Sequence, residues 1–214
     1  MRAAALTALL VCALARAQSP AQLPDTHQHD FRDAAKWAQV FDDPKRDEWQ
    51  KPHEVIGALG LAPDATVADI GAGTGYFAVR LAHMVPKGRV YAVDVETEMV
   101  KHLARRAAAQ GLANLMAVRG SPDNPRLPGK VDLVLLVDVY HHIEGREAYF
   151  TKLRGMLKPE GRIAVIDYKP DSPQGPPADA RISAESVKAE LDRAGLLLTE
   201  EHTFLPYQYF LVFR

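Results

Sequence analysis

Three groups of residues in this chain are spaced for chemistry. Asp69 stands two positions before Gly71, the first of three glycines at alternate positions, Gly71, Gly73 and Gly75. The apolar run Val67 to Ile70 before them reads as a buried parallel strand, and Phe77, Leu81 and Ala82 after them keep helical spacing. Glycine lacks a Cβ, so a loop of this kind can turn sharply and come close to a ligand. The helix that follows offers unpaired N–H groups and the positive end of its dipole. With the Asp69 carboxylate aimed at the same crevice, the site suits a ligand that carries both an anionic and a cationic group. The second group is Asp94, which closes the strand Arg89-Val-Tyr-Ala-Val-Asp94, 19 residues after Gly75. A carboxylate at the tip of the neighbouring strand can accept both hydroxyls of a ribose. The third is Asp138-Val-Tyr-His-His142, after the central apolar run Val131 to Val137. His141 and His142 have an intrinsic pKa suited to a general base, and with Tyr140 they are the candidate catalytic residues.

A dinucleotide fingerprint is spaced Gly-x-Gly-x-x-Gly. Gly71-Ala-Gly-Thr-Gly75, with its acid two residues upstream, instead resembles motif I of the class I S-adenosylmethionine-dependent methyltransferases. The resemblance covers roughly residues 50–168. It implies S-adenosylmethionine as cofactor, with Asp69, Gly71, Ala72, Gly73, Gly75 and Tyr76 around its methionine part and ribose. Asp94 and Val95 would take the ribose, and Asp138 would stand by the transferring methyl. Related enzymes often set an acid against the adenine amino group in the stretch that is Arg119-Gly-Ser-Pro-Asp-Asn124 in this chain. Here Ser121 fills the slot and Asp123 follows two residues on, so either is a candidate adenine contact.

Methyl transfer from a sulfonium is an in-line displacement, in which the protein mainly aligns the nucleophile. Amino-methyltransferases of nucleic-acid bases carry Asn/Asp-Pro-Pro-Tyr/Phe after the central strand, whereas Asp138-Val-Tyr-His has no proline. The chain is therefore more similar to the ubiquinone/menaquinone-type and other small-molecule methyltransferases, which implies a small-molecule or lipid-like acceptor. An N-terminal segment commonly covers the cofactor in this family. Arg46 would then meet a carboxylate and Trp49 would stack, or Trp49 would simply pack on the sheet. Tyr168, Tyr207 and Tyr209 either line an apolar acceptor pocket or belong to the core. The rival reading, from another class, is a non-catalytic module that binds an adenosyl or nucleotide ligand.

These residues need elements to hold them. Helical patterning begins near Phe31–Trp37 and resumes near Pro52–Leu61. Thr97 is placed to cap a helix that runs to Gln110, with Gly111 at its C′ position. Leu115–Val118 is a third strand, and Val131–Val137 is apolar enough for the buried centre of a parallel sheet. Arg146–Leu157 is an amphipathic helix ended by Lys158-Pro-Glu-Gly161, and Arg162–Asp167 is a fifth strand. Pro170–Ala180 is a loop at the rim of the site, and Ser183 caps a last helix that stops at Gly195. Leu196–His202 and Gln208–Phe213 are two strands with no helix between them. Strand–helix alternation gives a doubly wound α/β sheet, here seven-stranded and mostly parallel, and the closing pair makes one strand antiparallel. That ending belongs to the methyltransferase fold and not to simple dinucleotide folds.

Composition sets the outer bounds. The chain has 214 residues, 47% hydrophobic and 25% charged, which fits one globular domain with a substantial core. Residues 1–17 read as a secretory signal peptide: Arg2 gives a positive start, Ala3–Ala15 is apolar or neutral, and Ala15-Arg16-Ala17 is a cleavage site. The expectation is an exported protein, with Gln18 as mature start, a lead and lid segment over 18–50, and a methyltransferase domain over 51–214. The thirteen apolar or neutral residues are too few to span a bilayer, so no transmembrane span is expected after processing. Removing Arg2 and Arg16 from the 26 basic residues leaves 24 against 27 acidic ones, a net charge near −3. No long basic run is present, so nucleic acid is not an expected partner. The only cysteine, Cys12, leaves with the signal, which removes disulfides, thiolate nucleophiles and Cys-ligated metals. Thiol-dependent arsenic methylation is excluded on the same ground.

Overall fold

A computed structural model describes residue 31 and residues 33–214 of the chain; the expected leader at 1–17 lies outside them. Helices α1 (Ala34–Phe41), α2 (Arg46–Gln50) and α3 (Pro52–Ala58) lead into the alternating body. There β1 (Thr66–Ile70), α4 (Tyr76–Met84), β2 (Arg89–Asp94), α5 (Thr97–Ala109), β3 (Leu115–Arg119) and β4 (Val131–Val137) follow in turn. A 3-10 turn at Tyr140–His142 joins β4 to α6 (Arg146–Gly155), and β5 (Leu157–Tyr168), α7 (Ala184–Arg193), β6 (Leu198–His202) and β7 (Gln208–Phe213) complete the chain. The seven strands lie in the order β3-β2-β1-β4-β5-β7-β6. The first five are parallel, and β7 runs antiparallel to both neighbours. The expected doubly wound sheet with one antiparallel strand is therefore the observed one.

Strand periodicity explains how the sheet is covered. Val67, Leu133, Leu135, Phe210 and Val212 face a core layer with α3, α4 and α5. Ala68, Ile70, Val134, Leu136, Leu211 and Phe213 face the opposite layer with α6 and α7. Residues of β4 and β7 are buried on both faces, as a central position demands. A smaller cluster pins α1 outside the main body, where Trp37 packs with Phe31, Phe41 and Met99 of α5.

Two boundaries differ from expectation. Glu96, not Thr97, is the N-cap residue of α5, and it caps without a side-chain hydrogen bond. Its extended backbone follows from Asp94, whose carboxylate takes the Glu96 N–H at 2.8 Å. The Lys158-Pro-Glu-Gly161 stretch does not break the chain into a turn but is absorbed into β5, with a register shift opposite Val131 and Leu133. A Cβ on Gly161 would stand 2.9 Å from the Val131 carbonyl oxygen, so this irregularity needs glycine. Ser183 caps α7 as expected, accepting the Ser186 N–H.

Candidate active site

The parallel strands end side by side at β1, β2 and β4, where the order reverses, and the crevice of an open α/β sheet forms at that point. Asp69 is 3% exposed, and its Oδ2 has no hydrogen-bond partner among the described residues. Burial pushes its pKa up to about 7; Asp94 adds to the rise while Arg46 opposes it. Gly71, Gly73 and Gly75 all adopt positive φ. At Gly71 a side chain would overlap the Val139 methyls, so two loops meet there with no room to spare. Gly73 donates its N–H to Asp94 Oδ2 at 2.8 Å, which ties the glycine loop to the acid of the next strand. Burial raises the Asp94 pKa, and the N–H donors of Glu96 and Gly73 counter it. Gly75 starts α4 and packs towards Leu103, outside the cavity lining.

Asp138 follows β4 with φ 59°, a left-handed conformation uncommon outside glycine. The turn is held by its N–H, which donates to the Ile166 carbonyl at 2.9 Å. Its carboxylate faces the cavity, accepts a hydrogen bond from Gln208 Nε2 and lies 3.5 Å from Arg46 Nη2. Burial raises the Asp138 pKa and the Asp167 charge adds to it, against Arg46, His141 and Gln208.

The three catalytic candidates differ in burial and partners, although the His141 and His142 rings lie 4.1 Å apart. His142 is exposed and lines the cavity. His141 is buried beneath, its Nδ1 2.9 Å from both Asp167 carboxylate oxygens. Burial disfavours its charged form, but the Asp167 hydrogen bond and charge, with Asp138, outweigh that and raise its pKa. Tyr140 does not line the cavity: it is fully buried, and its hydroxyl donates to Glu190 of α7 at 2.6 Å. A tyrosine committed to a helix on the other face buttresses the loop instead of touching a ligand there.

A cavity of about 370 Å³ joins these strand ends. Ala72, Gly73, Tyr76, Asp94, Val95 and Ser121 line it with Asp69, Gly71 and Asp138. Asp123 does not; it is exposed, accepts from Ser121 Oγ at 2.8 Å and pairs with Lys152 at 3.6 Å. Of the two, Ser121 is thus the one that lines the cavity, and Asp123 holds its hydroxyl from outside. Tyr168 lines the cavity with Gly175 against its ring, while Tyr209 is buried in the core. Arg181 gathers the loop between them by donating to the carbonyls of Pro170, Ser172 and Pro176.

The N-terminal helices roof the cavity. Phe41 stands over Gly73, and Asp42 accepts from Thr74 Oγ1 at 3.2 Å and from Arg106 at 2.8 Å. Arg46 and Arg80 lie over the Tyr76 ring, each 4.1 Å from its centroid. Trp49 packs 6.1 Å from both Tyr168 and Tyr207. Sequence reasoning missed Asp42, Gln208 and Asp167, because each acts through a partner at least 26 positions away. The one local signal was an acid at the end of a fifth strand. Among the described residues no cluster of three or more His, Cys, Asp or Glu residues could hold a metal, and no helix is long and apolar enough to cross a membrane.

Comparison with known proteins places this geometry. A family model described as a methyltransferase domain matches residues 67–161. The structure resembles a S-adenosylmethionine-dependent methyltransferase from Aquifex aeolicus with TM-score 0.78 and 28% identity, covering 87% of this chain and 98% of that one. In sequence the chain is 26% identical over 114 residues to a ubiquinone/menaquinone biosynthesis C-methyltransferase from Cupriavidus taiwanensis, covering 53% of this chain and 47% of that one. It is 31% identical over 110 residues to a malonyl-[acyl-carrier protein] O-methyltransferase from Geobacter sulfurreducens, covering 51% and 40%. Its matches span between 30% and 47% of the length of these and the other first curated relative.

Proposed function

Because the chain belongs to the class I S-adenosylmethionine-dependent methyltransferase superfamily, we propose that it transfers a methyl group from S-adenosylmethionine to a small-molecule or lipid-like acceptor. The observation that carries this reading is Asp69. A buried carboxylate with an unpartnered oxygen, facing a cavity beside a glycine loop and a helix N-terminus, calls for a ligand with a cation and an anion close together. The amino-acid end of S-adenosylmethionine fits that demand, and the cavity size suits a nucleoside-containing ligand.

When bound, S-adenosylmethionine supplies an electrophilic methyl on a sulfonium centre. The chain's own residues do the rest. Asp69 accepts from the ammonium group, and Arg46, close enough to lower the Asp69 pKa, is placed for the carboxylate. Asp94 keeps one acceptor site on each oxygen after taking the Gly73 and Glu96 N–H groups, and those sites serve the ribose hydroxyls. Ser121 serves the adenine. Asp138 and His142 face the acceptor end and hold or take a proton there; His141, clamped to Asp167, positions the turn that carries both.

Residues 1–17 direct the protein out of the cytoplasm in this reading. Export also favours the second reading, a non-catalytic adenosyl-binding module, since S-adenosylmethionine is made in the cytoplasm. Calorimetry on the purified protein tests the first step: micromolar binding of S-adenosylhomocysteine is expected, and binding of NADH in its place overturns the reading. Radiolabelled methyl transfer to extracted quinones, phenols and lipids separates the two. Binding without transfer in any fraction supports the module.

A further inference from the structure

The polar contacts between α2 and the sheet form a closed circuit. Arg46 Nε and Nη2 donate to Gln50 Oε1 at 3.2 and 3.1 Å. Gln50 Nε2 donates to Gln208 Oε1 at 2.6 Å, and Gln208 Nε2 donates to Asp138 Oδ1. Asp138 Oδ2 returns to Arg46 at 3.5 Å. Both glutamines are 0% exposed. Only this orientation of the two amides pairs every group, because reversing either would set donor against donor at Arg46 or acceptor against acceptor at Asp138. A fully buried glutamine pair is an expensive way to fill space, since apolar side chains need no partners. An amide, with a donor at one end and an acceptor at the other, can instead carry hydrogen-bond direction from a cation to a carboxylate.

We infer that Gln50 and Gln208 are positioning residues, an amide relay that sets the Asp138 carboxylate towards the acceptor only while residues 34–50 are docked over the cavity. Docking of the segment and assembly of the acceptor face are then one event. The inference rests on the methyl-transfer reading only for what Asp138 faces. Gln208 belongs to the sheet and Gln50 to the covering segment, so their bond spans the joint between them. Loss of the segment would leave Gln208 and Asp138 without the cation and donor that complete the circuit.

The relay is tested by reversing one link and then re-pairing it. Gln208→Glu removes the donor to Asp138, and adding Asp138→Asn supplies a donor from the other side, with net charge kept. The readout exists already, because the chain's only two tryptophans, Trp37 and Trp49, both lie in residues 34–50. Acrylamide quenching of their emission in the full chain, with and without S-adenosylhomocysteine, reports docking. Gln208→Glu is expected to raise quenching at least twofold and weaken S-adenosylhomocysteine at least tenfold. The double variant is expected to return both to within threefold of wild type while any methyl transfer stays lost. Wild-type quenching in the single variant, or no rescue in the double, overturns the relay. If circular dichroism shows Gln208→Glu unfolded, Gln50→Met takes its place, with raised quenching expected and unchanged quenching overturning. A wild-type chain that ignores S-adenosylhomocysteine sinks the methyl-transfer reading alone, because quenching without ligand still tests the relay.

Discussion

Burial keeps the Asp69 carboxyl, with one oxygen unpartnered, protonated up to about pH 7 against the opposing charge of Arg46. Its folded pKa of about 7 lies above its ordinary 3.8, so the stability it contributes is complete below about pH 4 and is lost as pH rises through 7. The melting temperature of the ligand-free wild type should therefore fall relative to Asp69→Asn between pH 5 and pH 8. S-adenosylhomocysteine, through its ammonium, should release a proton on binding below pH 7, and its affinity should rise with pH up to about 7 and then level. Calorimetry in buffers of different ionisation heat measures both. Asp69→Asn should weaken that ligand by about 2–4 kcal/mol, roughly 30- to 1000-fold, as expected for truncating a buried charge pair. Asp69 and Asp94 were legible in the sequence because each closes an apolar strand beside a glycine loop, a strictly local pattern. His141 and His142 were not separable there. Their rings lie together on a tight turn, centroids 4.1 Å apart, and only the Asp167 carboxylate, 26 positions on, shows which one is committed.

The elements that carry these residues are held by a few long-range polar ties. Asp42, at the end of α1, joins the glycine loop through Thr74 and α5 through Arg106. Asp42→Ala should weaken S-adenosylhomocysteine by about 1 kcal/mol, roughly fivefold, and change the melting temperature little, since the tie is partly exposed. Tyr140→Phe gives the opposite pattern. It removes the hydroxyl bond to Glu190, so stability should drop by about 1–2 kcal/mol in urea denaturation with ligand affinity unchanged. The strands other than the polar β6 were readable as apolar runs and matched within a few residues. The start of β5 was not, because Pro159 and Gly161 carry turn chemistry that pairing with Val131 overrides by a bulge. Helix α2 was hidden for a related reason. Its five residues bury only Gln50, so it leaves no apolar stripe.

At the scale of the molecule, the closing hairpin slots β7 between β5 and β6, and all six of its residues are buried. Phe210 lies against the α3–α5 side with no exposure, so Phe210→Ala should cost about 3–5 kcal/mol in denaturant unfolding. The absence of a helix between the last two strands made this topology legible, whereas the cover formed by residues 34–50 was suggested only by resemblance. That cover has a kinetic consequence. One continuous segment supplies both Phe41, above the glycine loop, and Arg46, beside Asp138. A single cover over both ends of the cavity predicts ordered exchange, with S-adenosylmethionine entering first and S-adenosylhomocysteine leaving last. An acceptor analogue seated at Asp138 should slow the escape of S-adenosylhomocysteine in stopped-flow fluorescence, a trapping that separate doors would not produce.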